Sequence, residues 1–365
     1  MPRLFALALL CLIVASTTAR AEDLDAIVAK AMEGTKAPAL SVLVIRDGKV
    51  AGEAVRGVRR NDRADPAKLG DQWLIGSDGK PMTAALIARL VDRGVLSWDA
   101  PLSKMLPDLA AQMRPEYRSV TLVQLLSHRA GLAHDTRDEA FFATFFTDRR
   151  PLPAQRLAYI AKALTEPPEV PPGTTFSYSN SGFLIAAAVA ERATGQSYET
   201  LMRREVFGPL GMTGVGYGPT PDGQPQGHHD GKPVSKPQDS NPLMFAPAGN
   251  IHMSLRDWAR FCLDQLAGAR GHGKLLSAAS YRMMTTRLPG ATSGLAWGVQ
   301  DQIAGRKGPV LTHAGSDGNW DALVALFPET GSGVLAAANA SEDMAGDKAT
   351  KAALMAVLPT ISDPK

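Results

Sequence analysis

The chain has 365 residues, a formal net charge of +3 and two cysteines. So small a charge on so long a chain argues against nucleic acid or an anionic membrane surface as a partner. The length allows two lobes around a large core, so the fold need not lean on a disulfide framework.

Residues 1–21 have the three parts of an export signal: Arg3, an apolar run at 4–15, and the small-residue pattern Ala19-Arg20-Ala21. An uncleaved anchor is the alternative, but the run falls short of the roughly 20 apolar residues that cross a bilayer core. Cys11 follows Leu10, which is too large for a lipoprotein cleavage site. Cleavage after Ala21 leaves Cys262 alone, which excludes an intramolecular disulfide and a multi-cysteine zinc site. The expectation is an exported protein, periplasmic or secreted, whose mature part is 22–365.

Residues 23–32 carry apolar side chains at a spacing near 3.6, so a short helix opens the mature chain. Two β-rich runs follow, 39–45 and 50–58, joined by Arg46-Asp47-Gly48-Lys49; the Asp-Gly pair signals a hairpin. Helical periodicity then appears at 82–91, 122–127, 154–164, 183–194, 198–207 and 255–266, with Pro and Gly clusters between. Residues 214–241 are rich in Gly, Pro and polar residues and read as a long loop with a small hairpin at Asp230-Gly231. Strand-like runs return at 295–300, 309–313, 320–327 and 333–338, and a helix over 348–357 closes the chain. Strands at both ends around a helical middle predict an α/β (α+β) fold. One antiparallel sheet is built from both termini, 22–76 and 288–365, with a helical lobe over 77–287.

Three short constellations could carry chemistry. Ser77-Asp78-Gly79-Lys80 stands just before the segment 82–91. A serine hydroxyl is a poor nucleophile until its proton is removed, and a Lys three residues on, at a helix start, lies on the same face. The helix N-terminus adds amide donors where an oxyanion would form. A Ser and a Lys at this spacing also occur by chance about once in such a chain, so the motif draws its weight from its position. Tyr178-Ser179-Asn180 precedes the segment 183–194. A Tyr near a Lys loses its proton more easily than a free phenol and can act as a base, and Asn180 can bond a substrate carbonyl. His313-Ala314-Gly315 ends a predicted strand; Gly315 would let a substrate approach the strand edge, and the Ser316 N–H would join that of Ser77 as oxyanion donor. Taken singly, a Tyr in a turn or a His before one is more often a packing or capping residue.

Together the three resemble the serine β-lactamase and penicillin-binding protein superfamily, closest to its class C β-lactamase-like branch. That branch also holds DD-peptidases, D-aminopeptidases and β-lactamase-related carboxylesterases. The resemblance runs from about Leu24 to Leu358 and includes Leu125-Leu126-Ser127-His128-Arg129-Ala130-Gly131-Leu132, the block Pro172 to Met212 and Pro247-Ala248-Gly249-Asn250. It implies Ser77 as nucleophile, Lys80 as proton-relay partner and Tyr178 as general base and acid, with Lys80 and Tyr178 acting as one coupled unit. It further implies that Asn180 orients the substrate while His313, Gly315 and Ser316 form the edge opposite Ser77. Two departures stand out. Asp78-Gly79 replaces apolar and hydroxyl residues, with Pro81 following Lys80, and His313 stands where many members have Lys. A His with its usual pKa near 6.5 is mostly neutral at pH 7 and holds a substrate carboxylate less firmly than a Lys.

No cofactor is expected. His228-His229-Asp230 suggests a metal only weakly, since adjacent histidines in a loop are usually solvated, and His128 is expected to bond a turn rather than a substrate. The expectation is a serine hydrolase working through an acyl-enzyme on a small-molecule or peptide ester, amide or β-lactam. A non-catalytic penicillin sensor or cell-wall binding protein is the rival, favoured by the Asp78-Gly79-Lys80-Pro81 sequence alone.

Overall fold

A computed structural model describes residues 23–234 and 240–361. The expected export signal lies outside the described residues. Residues 23–32 form helix α1. Strands β1 (Ala39–Arg46) and β2 (Lys49–Gly57) follow as the hairpin that Asp47-Gly48 predicts. Both turn residues have positive φ, 50° and 71°, the primed turn that matches strand twist.

The chain returns to this sheet through β3 (Gly298–Ile303), β4 (Arg306–Ser316), β5 (Asp321–Phe327) and β6 (Ser332–Ala338). The order is β2-β1-β6-β5-β4-β3, antiparallel throughout, so the termini meet where β1 pairs β6, with Leu40 opposite Ala338 and Val44 opposite Val334. Two strands differ from expectation. β3 starts three residues later than the apolar run because Ala296 adopts a left-handed φ of 65°, which a strand cannot contain. β4 begins three residues earlier because its first residues lie in an exposed hairpin where apolar patterning gives no signal.

Both faces of the sheet are covered. Leu40, Val42 and Val44 of β1 pack with Val334 and Ala336 against α1 and the C-terminal helix, here through Val28, Leu354 and Val357. Leu43 and Ile45 point the other way, into a larger core with Trp73, Leu86 and Phe183. That larger core is organised by α2 (Lys80–Asp92), α3 (Leu122–Leu126), α4 (Leu152–Ala163), α5 (Ser181–Thr194) and α6 (Leu255–Ala269). Helix α5 is buried on all sides from Ser181 to Glu191, as an apolar helix at the centre of a lobe must be. Each large apolar side chain removed from water there contributes about 1.5–3 kcal/mol. Gly195 ends it in a left-handed cap with φ of 66°. Buried Arg156 of α4 ties it to its neighbour, with Nε 3.1 Å from both Glu191 oxygens and Nη1 3.0 Å from Glu199 Oε1. Helix α7 (Gly346–Val357) closes the outer face.

The predicted hairpin within 214–241 is present: His228–His229 pairs with Lys232–Pro233 around Asp230 and Gly231, both at positive φ. Residues 235–239 of this loop lie outside the described residues. Among the described residues no helix is long and apolar enough to cross a membrane.

Candidate active site

Ser77 sits in a tight turn, Gly76–Gly79, immediately ahead of α2. Lys80 begins the helix proper, and its backbone N–H donates to the Ser77 carbonyl. Pro81 therefore falls in the first turn, where its missing N–H costs nothing. The turn is pressed against β4 by glycines. A Cβ added at Gly315 would fall 2.0 Å from the Ile75 carbonyl oxygen and 2.8 Å from the Ser77 amide nitrogen. One added at Gly76, whose φ is 51°, would fall 2.5 Å from the Ser316 nitrogen. The amides of Ser77 and Ser316 thus border one glycine-to-glycine contact. Gly315→Ala is expected to push the Ser77 turn off the strand, lowering both Tm and turnover; unchanged turnover with a parental melting curve would show that the contact does not set the site.

The hydroxyl of Ser77 receives two side chains. Lys80 Nζ and Tyr178 OH each lie 2.8 Å from its Oγ. Lys80 Nζ also meets Asn180 Oδ1 at 2.7 Å and bonds the Ala248 carbonyl. Lys80 is wholly buried, and burial pushes its pKa down to about 7 against the opposing pull of Asp135 and Asp78. A neutral amine has two N–H groups and one lone pair. The Asn180 and Ala248 oxygens can take the two N–H bonds, which leaves the lone pair for the Ser77 hydroxyl.

Tyr178 is held differently from the sequence expectation of an easily ionised phenol. Burial pushes its pKa up to about 12, the Ser77 bond opposing and Asp78 and Asp135 adding to the rise. Its ring stacks on His128 at 4.3 Å between centroids. His128 holds the turn as expected: at φ of 56° its Nδ1 accepts the Ser179 N–H at 3.0 Å, and its carbonyl accepts that of Ser177 at 2.7 Å.

Three features of the site were not legible in sequence. The Ala248 carbonyl is a backbone group without a motif. Asp135 accepts from Asn180 Nδ2 at 3.2 Å and meets His134 Nδ1 at 2.6 Å, so it orients Asn180. The third is Asp78, whose buried side chain lies against His313, with Oδ1 3.2 Å from Nδ1. His313 is itself largely enclosed, 8% of its side chain exposed, and burial with nearby Lys80 pulls its pKa down to about 3. The expectation of a His titrating near its usual value is therefore corrected: the imidazole is neutral throughout the ordinary working range.

A cleft of about 440 Å³ is lined by His128, Phe176, Tyr178, Ala296, Thr312 and His313 among others, and Tyr178 links it to Ser77; among the described residues of its wall none is Lys or Arg. Phe176 is exposed at its rim. Away from this cleft, His228 is buried, bonding the Asn339 carbonyl and the Asn61 N–H, which removes it as a ligand. His229, Asp230 and Asp343 do converge within 4.8 Å, all exposed.

A mixed α/β fold with an antiparallel sheet, carrying a Ser, Lys and Tyr in contact, defines a β-lactamase/transpeptidase-like protein. The beta-lactamase family model matches residues 24–358, and the chain belongs to that family. It is 28% identical to Penicillin-binding protein 4 of Amycolatopsis lactamdurans over 319 residues, 82% of this chain and 80% of that protein. It is also 28% identical to Esterase EstB of Burkholderia gladioli over 219 residues, 58% of this chain and 56% of that one. The solved structure of a D-stereospecific amidohydrolase from Streptomyces sp. shares the fold at a TM-score of 0.72, with 24% identity, covering 93% of this chain and 99% of the other.

Proposed function

We propose that the protein is an exported serine hydrolase that forms an acyl-enzyme on Ser77 and cleaves uncharged esters or small amides. The observation that carries this reading is the meeting of Lys80 Nζ and Tyr178 OH on Ser77 Oγ, each at 2.8 Å. Neutral Lys80 takes the serine proton as Oγ attacks the substrate carbonyl. The developing oxyanion lies between the Ser77 and Ser316 amides. The Tyr178 phenol, still protonated at neutral pH, gives its proton to the departing oxygen or nitrogen, and the Lys80 ammonium restores it. Water then enters the vacated place, loses a proton to the same pair and attacks the acyl carbon; the bond to Ser77 Oγ breaks, the pair returns the proton to Oγ, and the acid leaves.

Substrate charge follows from the cleft wall. None of the described residues lining it is Lys or Arg and His313 is neutral, so this wall offers a substrate carboxylate no counter-charge. Esters and small amides fit better than carboxylate-bearing β-lactams, and an esterase among the relatives agrees with this. The rival reading, a non-catalytic sensor, needs the Asp78-Gly79 departure to spoil the serine turn. The Ser77, Lys80 and Tyr178 contacts speak against it.

The pH profile tests the assignment of the base. Lys80 acts when deprotonated, so kcat/KM for a neutral ester should rise as pH passes upward through about 7 and then level off. A carboxylate-bearing substrate should follow the same curve at higher KM, because His313 does not titrate in that range. A midpoint near 10, the ordinary lysine or phenol value, would remove Lys80 as the neutral base. A rise in KM confined to the carboxylate-bearing substrate between about pH 6 and 7 would restore a titrating His313.

A further inference from the structure

Asp78 has no part in the chemistry proposed above, yet it sits between the nucleophile and its base in sequence and is wholly enclosed. Among the described residues neither carboxyl oxygen has a hydrogen-bond partner. An ionised carboxylate without donors is strongly disfavoured in such a place, and the same burial drives the Asp78 pKa well above the usual carboxylate range. A protonated carboxyl needs an acceptor. The acceptor in reach is Nδ1 of His313, 3.2 Å away. The hydrogen bond that Nδ1 makes in this structure is with the Ala314 carbonyl at 3.0 Å, which suits the Nδ1–H tautomer and which a proton on Asp78 would have to displace. The titratable groups that face this pair are Lys80 of α2, Tyr178 ahead of α5, Cys262 of α6, Asp321 of β5 and His128 after α3.

We propose that Asp78 is a positioning residue: as a neutral acid it donates to Nδ1 of His313, fixes the imidazole as the Nε2–H tautomer and turns that N–H toward the cleft. The donor it presents is uncharged and suits an ester or amide oxygen rather than a carboxylate. The substrate part of this inference rests on the serine-hydrolase reading; the tautomer does not. A neutral Asp78 also removes one of the two charges that oppose the fall in the Lys80 pKa, and so keeps the amine available as a base. An ionised Asp78 would stabilise the ammonium and withdraw the base.

Nitrogen-15 NMR on the whole protein decides the tautomer, with the His313 signal identified by its loss in His313→Gln. The parent should show Nε2–H, as should Asp78→Asn, whose side-chain N–H can make the same bond. Asp78→Leu should switch to Nδ1–H on the Ala314 carbonyl. The KM for a neutral ester should rise roughly fivefold in Asp78→Leu, the usual weight of one hydrogen bond, and stay within about twofold in Asp78→Asn, with kcat little changed. The acid limb of kcat/KM should keep its place in Asp78→Asn, since no charge is lost. A parent His313 found as Nδ1–H or as imidazolium overturns the proposal, even if Asp78→Leu does not fold. So does a parental KM in folded Asp78→Leu, or a displaced acid limb in Asp78→Asn. A folded parent that hydrolyses nothing would instead defeat the serine-hydrolase reading and leave the NMR result to decide this one.

Discussion

Ser77→Ala is expected to lower kcat/KM for any substrate by a factor on the order of 10⁴ or more, the scale seen when a covalent nucleophile is deleted. The loss is large because the remaining groups are arranged around an oxygen that is gone. Lys80 would have no hydroxyl to deprotonate, and Tyr178 would lose the partner it contacts at 2.8 Å. The fold should persist, since the change deletes one hydroxyl from a turn held by Gly76, Gly315 and Gly249 rather than by that oxygen. Melting temperature and circular dichroism close to the parent's would verify this. Residual turnover above a few per cent, in preparations free of parent enzyme, would mean that another residue carries the chemistry.

Lys80→Met and Tyr178→Phe should each cost about 10²–10⁴ in kcat, the usual contribution of a positioned acid or base. The double variant should be little worse than the more damaged single one. In the proposed relay both side chains act on one oxygen and exchange one proton, so removing either would already interrupt the route. Lys80→Arg should not rescue, because a guanidinium stays protonated and its planar head does not match the acceptors at Asn180 and Ala248. Multiplicative losses in the double variant would show that the two residues do separate jobs. The two singles should also differ in pH dependence. Tyr178→Phe should keep the limb near pH 7 that belongs to Lys80, whereas Lys80→Met should lose it.

The sequence exposed the parts of the site that depend on residue type and place. Ser77 and Lys80 stood ahead of a strongly patterned helix, and Tyr178 and Asn180 stood at the mouth of a long apolar one. The sheet was legible for a similar reason: β1, β5 and β6 alternate between two buried faces, and Asp47-Gly48 marks the hairpin. Tertiary environment was not legible. Nothing local to Lys80 reveals that it is wholly buried, so the cause of its lowered pKa appears only with the fold. The same holds for Tyr178 and His313, whose ordinary titration behaviour was the natural expectation and whose burial reverses it. Asp78 looked like a defect in the serine motif; its place against His313, across the gap between α2 and β4, shows what it can do. The start of β3 was misplaced because an apolar run extended over Ala296, a residue that the backbone turns out of the strand.

Covalent labelling tests the central claim most directly. The protein treated with a fluorophosphonate at neutral pH should gain the mass of one phosphonyl group, and peptide mapping should place it on Ser77. Labelling should slow as pH falls below about 7, when Lys80 takes up its proton, and Ser77→Ala should not react at all. A folded parent that gains no adduct, or that carries it on a different serine, would contradict the account.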